Sequence, residues 1–544
     1  MAATAHIDTF ASDNLPAREL WPELIYELPE LAYPERLNCV VELLDRAVAA
    51  GMGGRTVIRW PGGTWTYDQL RDRVDRVARV LTEDLGLVPG NRVLLRAPNN
   101  PMMAAAWLAV VKAGLIAVAT MPLLRAHELV QVIEKAEVGV ALCDAALAGE
   151  LAQAQAQCPR LERVLLFNSA TPDGLECRMA EKAGGFAACD TAADDVCIIA
   201  FTSGTTGVPK GTMHVHRDVM AICDCFPRST LKPGADDVFC GTPPLAFTFG
   251  LGGLLLFPMR VGASTVLVER LTPQTLLQTI QDFRATICFT APTFFRQMAM
   301  LAPGFDLASL AKCVSAGEAL PLATRQAWQD ASGIALIDGL GATEMLHIFI
   351  SAAGADIRPG ATGRPIPGYR ACVLDEEGRP LPPGKVGRLA VKGPTGCRYL
   401  ADERQKSYVQ NGWNLTGDAY LVDDEGNYWY QARTDDMIVS AGYNIAGPEV
   451  ESALLLHPAV AECGVVGAPD PERGQIVKAF VVPKPGHAPG PDLARARQDH
   501  VKAAIAPYKY PRAIEFRDAL PRTETGKLQR FRLREPASPE EKRP

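Results

Sequence analysis

The chain has 544 residues, a net charge of −7, and 48% hydrophobic and 22% charged residues. That length predicts several globular units with ample core, and the mild acidity excludes generic binding to nucleic acid or to an anionic membrane surface. Its 47 Gly and 42 Pro exclude collagen-like or low-complexity organisation.

The opening, MAATAHIDTFASDNLP, has no basic stretch leading into an apolar run. It is not read as a secretory signal, and the chain is read as cytoplasmic. From there to about residue 430, short β-rich runs alternate with helical patterns. Residues 92–95 (RVLL), 139–143 (GVALC), 164–167 (VLLF), 196–201 (VCIIAF), 264–268 and 286–290 read as strands, and 103–112 and 145–157 as helices. Such alternation predicts an α/β fold of parallel sheets covered by helices. Residues 238–259 are uncharged, but Pro243, Pro244, Gly250, Gly252, Gly253 and Pro258 punctuate them. A buried strand–turn–helix is expected there, not a membrane span.

The composition changes after about residue 380. Residues 378–384 (GRPLPPG) are turn-rich, and short antiparallel strands are expected at 386–391, 427–430 and 437–439. Beyond Arg433 the pattern becomes a small α+β unit. Helices are expected at 448–456 and 493–506, and strands at 461–466, 477–482 and 513–517. The polar tail 537–544 is expected to be disordered. The chain is therefore divided at Asp435. A large N-terminal domain, 1–434, holds helix-covered sheets plus a β-rich subdomain, and a small mobile α+β domain spans 435–544.

The 14 cysteines run from Cys39 to Cys463 without a repeated framework, as free thiols in a reducing compartment do. His214-x-His216 followed by Cys223-x-Cys225 offers metal-ligating types, but not at the spacing of a common zinc module. A helix start followed by packed thiols is the expected reading.

Five segments carry chemistry. FTSGTTGVPKG (201–211) follows an apolar strand and gathers glycines, hydroxyls and Lys210. Glycines let backbone N–H groups approach an anion, hydroxyls donate to phosphate oxygens, and Lys210 adds positive charge. Pro209 and Gly211 flank the lysine, so this is not a Walker A loop. IDGLGATEM (337–345) places Thr343-Glu344 after a glycine turn; a Glu beside phosphate calls for a cation, and hard oxygen ligands suit Mg²⁺. WNLTGD (413–418) reads as the end of a loop whose Asp418 can accept two bonds from a ribose diol. RTDDMIVSAG (433–442) supplies Arg433, whose fork suits a phosphate. PRTETGKLQR (521–530) puts Lys527 in a loop of the mobile domain, from which a cation can enter a site on closure.

Together and in this order, TSGTTGVPKG, SAGEAL, GLGATE, TGD, R-x-DD and PRTETGK resemble the core motifs of the adenylate-forming superfamily, which includes acyl-CoA synthetases, carrier-protein adenylation domains and luciferases. The resemblance covers essentially the whole chain. It implies that Thr202, Ser203, Gly204, Thr205, Thr206, Gly207 and Lys210 bind ATP phosphates. Ala316, Gly317, Glu318, Asp338 and Gly339 would line the adenine, Thr343 would contact the α-phosphate, and Glu344 would help to hold Mg²⁺. Asp418 would hold the ribose and Arg433 ribose or phosphate. Asp435 would be the hinge, Lys527 the cation of the adenylation step, and Gly442 with Tyr443 part of the coenzyme A tunnel. One departure is Ala432, where the family usually has Gly.

Within the superfamily, TEMLHIFIS (343–351) and PLAFTFGLGG (244–253) are similar to the benzoate-CoA ligase group, and AHIDTFASDNLP resembles the 2-aminobenzoate-CoA ligases. The resemblance implies an aromatic acid as substrate, 2-aminobenzoate first and benzoate or a substituted benzoate as alternatives. A stand-alone adenylation enzyme loading a carrier protein is a further alternative. A small flat acid needs an apolar, aromatic-walled slot. Phe247, Phe249, His347 and Ile348 are the expected lining, with Gly341 beside them and Ala246 and Gly250 leaving room for the ring. The other expectations are a monomer or homodimer, no nucleic-acid or membrane partner, and an exposed Lys527 open to a lysine acetyltransferase, which would remove its charge.

Overall fold

The computed structural model describes residues 3–202, 209–440, 443–470, 473–487, 490–505, 507–522 and 528–534. Among these residues the strands form four sheets. One has six strands in the spatial order Arg163–Phe167, Val140–Asp144, Arg92–Arg96, Ile116–Thr120, Val196–Thr202 and Lys210–Val215. Its first five strands are parallel, as their near-continuous apolar runs predict, and the last pair is an antiparallel hairpin. A second sheet has nine strands, with a parallel centre and antiparallel edges.

Helix Pro101–Lys112 is buried on every face. Asn100 caps it by accepting the Met103 N–H, and Pro101 occupies the first turn, where its missing N–H costs nothing. The helix therefore starts before residue 103. Its one charge, on Lys112, is buried against Asp45 at 2.7 Å and Asp75 at 2.6 Å. The uncharged run 238–259 folds as strand Val238–Gly241 followed by three helical pieces ending at Arg260. No helix among the described residues is long and apolar enough to cross a membrane.

The β-rich part is a five-stranded antiparallel sheet. It corrects one expectation: WNLTGD does not end a loop but lies within strand Trp413–Val422. The left-handed Gly417, φ +76°, kinks that strand beside its bulge, which makes the segment look turn-like in sequence. The chain then passes through a tight turn, Thr434–Asp436, to strand Ile438–Ser440 of the C-terminal sheet. There the strands are longer than the apolar runs suggested: Val460–Asp470 pairs with Gly474–Pro483 as one ribbon. Elsewhere the expected strand 264–268 stops at Val266, and the expected helix 145–157 opens as a 3₁₀ turn before Ala148–Gln157.

Candidate active site

The hairpin Val196–Thr202/Lys210–Val215 pairs Thr202 with Lys210 and so closes the base of the glycine-rich loop. Ser203, Gly204, Thr205, Thr206 and Gly207 lie outside the described residues. The Lys210 ammonium donates to the Tyr399 hydroxyl at 3.0 Å and stands 3.6 Å from Glu344 Oε1. The Tyr399 hydroxyl donates in turn to Glu344 Oε1 at 2.5 Å. Burial, and then the Glu344 charge, raise the Tyr399 phenol far above its ordinary range, so it stays a donor. Tyr399 was not singled out in the sequence, because it sits 55 residues from Glu344 in an unremarkable stretch.

Thr343 and Glu344 open a short turn, Thr343–Met345, after strand Leu336–Gly341. Leu346 then adopts φ +67°, which a branched side chain rarely does. The buried packing of Leu346 and its neighbours holds this strained backbone. The reversal turns His347 into a cluster of rings. His347 lies 4.5 Å from Phe257, 5.7 Å from Phe249 and 5.9 Å from Phe226, centroid to centroid.

Burial pushes the His347 imidazole down to about 3, so the ring is neutral. Its Nε2 faces the Phe249 carbonyl at 3.4 Å. A carbonyl only accepts, so Nε2 carries the proton and Nδ1 is an acceptor. Nδ1 is buried without a partner. Gly252 and Gly253, on the helix opposite, lie flush against rings: a Cβ at Gly252 would fall 2.4 Å from His347 Cδ2, and one at Gly253 2.6 Å from Phe289 Cδ1. Both glycines let a ring pack directly against the helix backbone, a role their place in a glycine-rich run conceals.

Other expected acid-binding positions behave differently. A Cβ at Gly250 would fall 2.1 Å from the Pro244 carbonyl oxygen, so Gly250 makes room for backbone, not for a substrate ring. Ala246 and Phe247 line a small cavity with Trp107, Ile198, Ala200 and Leu251, beside the hairpin. Ile348 is buried against Gly339, whose missing side chain receives it. Gly341 sits at a bulge where the His347 backbone comes within 2.9 Å of its Cβ direction.

Around the expected adenine site, strand Lys312–Ala316 ends at Gly317, whose φ of +89° needs glycine. Glu318 follows and accepts from the Thr293 hydroxyl at 2.8 Å. Asp338, on the neighbouring strand, is paired in register with Ser315. Burial raises its carboxyl to about 7, against the pull of Arg325. Asp418 and Arg433 are cross-strand partners, and Arg433 donates to Asp418 Oδ1 and to the Thr416 carbonyl, each at 3.0 Å. Gly417 leaves space for the guanidinium, whose Nη2 would stand 2.7 Å from a Cβ there. The two expected ribose ligands are thus held together by their own ion pair.

The backbone of Asp435 lies in the turn between the two domains, and that of Tyr443 opens strand Tyr443–Ile445. Gly442 and Lys527 lie outside the described residues. Arg522, at the start of the Lys527 segment, stands 3.6 Å from Glu318, so that segment begins at the rim of the site.

The histidine–cysteine run does not converge on a metal. His214 reaches the Thr343 carbonyl, while Cys223 and Cys225 are buried in the core. Among the described residues one group of metal-ligating types is buried together, Cys39, Cys197 and His216. There His216 Nδ1 already accepts the Cys39 N–H at 3.2 Å, which uses the imidazole lone pair.

Residues 44–399 match the family described as AMP-binding enzyme, and 449–527 the AMP-binding enzyme C-terminal domain. The benzoate–CoA ligase of Thauera aromatica is 38% identical over 512 residues, covering 93% of this chain and 97% of that protein. The solved structure of the anthranilate CoA ligase AuaEII in complex with anthranoyl-AMP superposes with a TM-score of 0.88 at 34% identity, covering 93% of this chain and 98% of that one. A benzoate CoA ligase from Burkholderia xenovorans LB400 superposes at 0.84 with 31% identity, covering 92% and 100%.

Proposed function

The chain belongs to the AMP-binding enzyme family, as an AMP-forming acid–thiol ligase, and from that premise we propose that it converts 2-aminobenzoate, ATP and coenzyme A to 2-aminobenzoyl-CoA, AMP and diphosphate. The observation that carries the choice of acid is His347. The rings of Phe249, Phe257 and Phe289 cluster about His347, apolar surroundings of the kind a flat ring needs. The buried, unpartnered Nδ1 suits a ring that brings its own N–H donor. An ortho-amino group supplies that donor, whereas benzoate leaves the acceptor unsatisfied, at a cost of about 1–3 kcal/mol. The likeness to a protein solved with anthranoyl-AMP supports the same choice.

In the first half-reaction a carboxylate oxygen attacks the α-phosphorus of ATP and diphosphate leaves. Lys210, the glycine-rich loop and Lys527 offset charge on the phosphate oxygens, and Thr343 contacts the α-phosphate. Asp418 holds the ribose hydroxyls, with Arg433 beside it. The Glu344 carboxylate is a hard oxygen donor set among phosphate-binding groups and fits Mg²⁺, which when bound neutralises phosphate charge. In the second half-reaction the coenzyme A thiolate attacks the acyl carbon and AMP leaves. Lys527 must then withdraw, and rotation about Asp435 brings Gly442 and Tyr443 to the thiol path.

The test is AMP release with ATP, Mg²⁺ and a panel of aromatic acids, each with and without coenzyme A. Turnover that depends on coenzyme A and is fastest with 2-aminobenzoate supports the reading. A faster benzoate moves the substrate and keeps the reaction. Adenylate formation that stalls with coenzyme A points instead to a carrier-protein acceptor.

A further inference from the structure

The turn that carries Thr343 and Glu344 is gripped from two sides by adjacent residues, 398 and 399. Tyr399 binds the Glu344 carboxylate. Arg398 acts through a different path. Its Nη1 donates to Asp218 Oδ2 at 2.7 Å, and the same oxygen accepts the Val215 N–H at 3.1 Å and lies 3.6 Å from His214 Nδ1. His214 Nε2 reaches the Thr343 carbonyl at 2.8 Å and, facing a carbonyl, is the donor.

Arg398, Asp218 and His214 are each at most 1% exposed. Burial opposes the charge on Asp218, yet Arg398 and then His214 hold its carboxyl below the ordinary range. A buried ion pair of this kind gives little net stability against an apolar replacement, so stability alone does not account for it. The pair lies against the Nδ1 edge of one imidazole, 3.6 Å away, and the opposite edge of that imidazole holds one backbone carbonyl.

We propose that His214, oriented by Asp218 and Arg398, is a positioning residue for adenylation: by holding the Thr343 carbonyl it sets the turn that aims Thr343 and Glu344 at the nucleotide. The proposal rests on the nucleotide-binding reading of that turn. His214 touches neither substrate nor metal. Its effect travels through one hydrogen bond, and misplacement of a reacting group by about 1 Å costs on the order of 100-fold in rate.

The experiment compares His214→Ala and His214→Gln with the unmodified enzyme. The Gln amide nitrogen can replace Nε2 as donor to the carbonyl; Ala cannot. Three readouts are taken: the melting temperature, the Mg²⁺-dependent affinity for a non-hydrolysable ATP analogue by calorimetry, and acid-dependent ATP–diphosphate exchange. His214→Ala is expected to lower the exchange kcat by about 10- to 100-fold and to raise the Mg²⁺ needed for analogue binding. The KM for the acid should change little, and Gln should recover most of both losses. A purely structural histidine would lower the melting temperature and the active fraction without shifting the Mg²⁺ requirement. A folded His214→Ala enzyme with unmodified exchange and analogue binding overturns the proposal, as does failure of Gln to recover what Ala loses. Analogue binding needs no acid. If the unmodified enzyme turns over no aromatic acid while His214→Ala still loses Mg²⁺-dependent binding, the acid assignment fails and the positioning role stands.

Discussion

Tyr399 donates its hydroxyl proton to Glu344 Oε1 at 2.5 Å while the hydroxyl oxygen of Tyr399 accepts from Lys210 at 3.0 Å. One phenol therefore separates a carboxylate from an ammonium that would otherwise pair directly. The spacing leaves Lys210 3.6 Å from Glu344, close enough to feel its charge.

Tyr399→Phe should remove that spacer. A buried carboxylate that loses one donor costs about 1–3 kcal/mol, and Lys210 is expected to close onto Glu344. The direct pair would compete with both Mg²⁺ and phosphate. The Mg²⁺ concentration for half-maximal ATP–diphosphate exchange should rise severalfold, with a lower melting temperature. An unchanged Mg²⁺ requirement together with an unchanged melting temperature would place Tyr399 outside the working site.

His347 should make the fold acid-sensitive. Its folded pKa of about 3 lies below the ordinary 6.5, so the unfolded chain binds a proton that the folded chain refuses. The stabilisation is complete above pH 6.5 and is lost as pH falls toward 3, at about 1.4 kcal/mol per pH unit. His347→Asn should flatten the pH dependence of urea unfolding by that slope between pH 6 and 4. Parallel curves for the two proteins would show that the ring is not held neutral.

The same residue should set the choice between acids. His347→Phe keeps the ring wall and deletes the acceptor. Discrimination for 2-aminobenzoate over benzoate, measured as the ratio of kcat/KM, should fall by about 10-fold or more, consistent with one unsatisfied hydrogen bond. A ratio that survives the substitution would move the amino-group contact elsewhere.

Asp338 titrates in the opposite sense. Its folded carboxyl, raised to about 7, stands above the ordinary 3.8. Stability from this group is full below pH 3.8 and is lost as pH rises through 7. Asp338→Asn removes the ionisation, so the variant should gain on the unmodified protein by about 2 kcal/mol between pH 5 and 8, after allowance for partial solvent contact. Melting temperatures at the two pH values measure the gain; equal shifts in both proteins would refute it.

The segments proposed for the site are local in the sequence. The glycine-rich run, Thr343-Glu344 and the TGD segment are each a few adjacent residues whose types suggest a phosphate, a cation or a diol, and the structure sets Glu344 beside Lys210 and Asp418 beside Arg433. What escaped is made by contacts distant in sequence. Tyr399 meets Glu344 across 55 residues, His214 meets Thr343 across 129, and Arg398 meets Asp218 across 180. Arg398 and Tyr399 sit in a stretch with no motif of its own, and His214 stands out only as a metal-ligating type, so only the pairing of strand 210–215 with the extended segment at 399 reveals these contacts. Gly250 and Gly252 show the same limit. They look alike in sequence, yet one makes room for the Pro244 backbone and the other for the His347 ring.

The two domains meet through a chain of alternating charges. Arg296, on helix Pro292–Leu301, stands 3.4 Å from Glu462 of the C-terminal ribbon; Glu462 pairs with Arg522 at 2.8 Å, and Arg522 stands 3.6 Å from Glu318. Glu462 is thus the anion between two guanidinium groups, one from each domain. These contacts are partly exposed, so each pair is worth about 1 kcal/mol or less and weakens with salt. Together they hold Arg522 of the C-terminal domain beside Glu318, which on the proposed reading favours the adenylation arrangement. Glu462→Gln should leave a neutral amide between two facing arginines, and the docked arrangement should lose population. The turn at 434–436 should become more sensitive to proteolysis, and adenylation should slow by a few fold. Thioester formation from preformed adenylate, which needs the domain to leave, should not slow. Raising the ionic strength should reproduce the effect in the unmodified protein and add little in the variant. A variant that slows both half-reactions equally would show that Glu462 supports the C-terminal fold and not its docking.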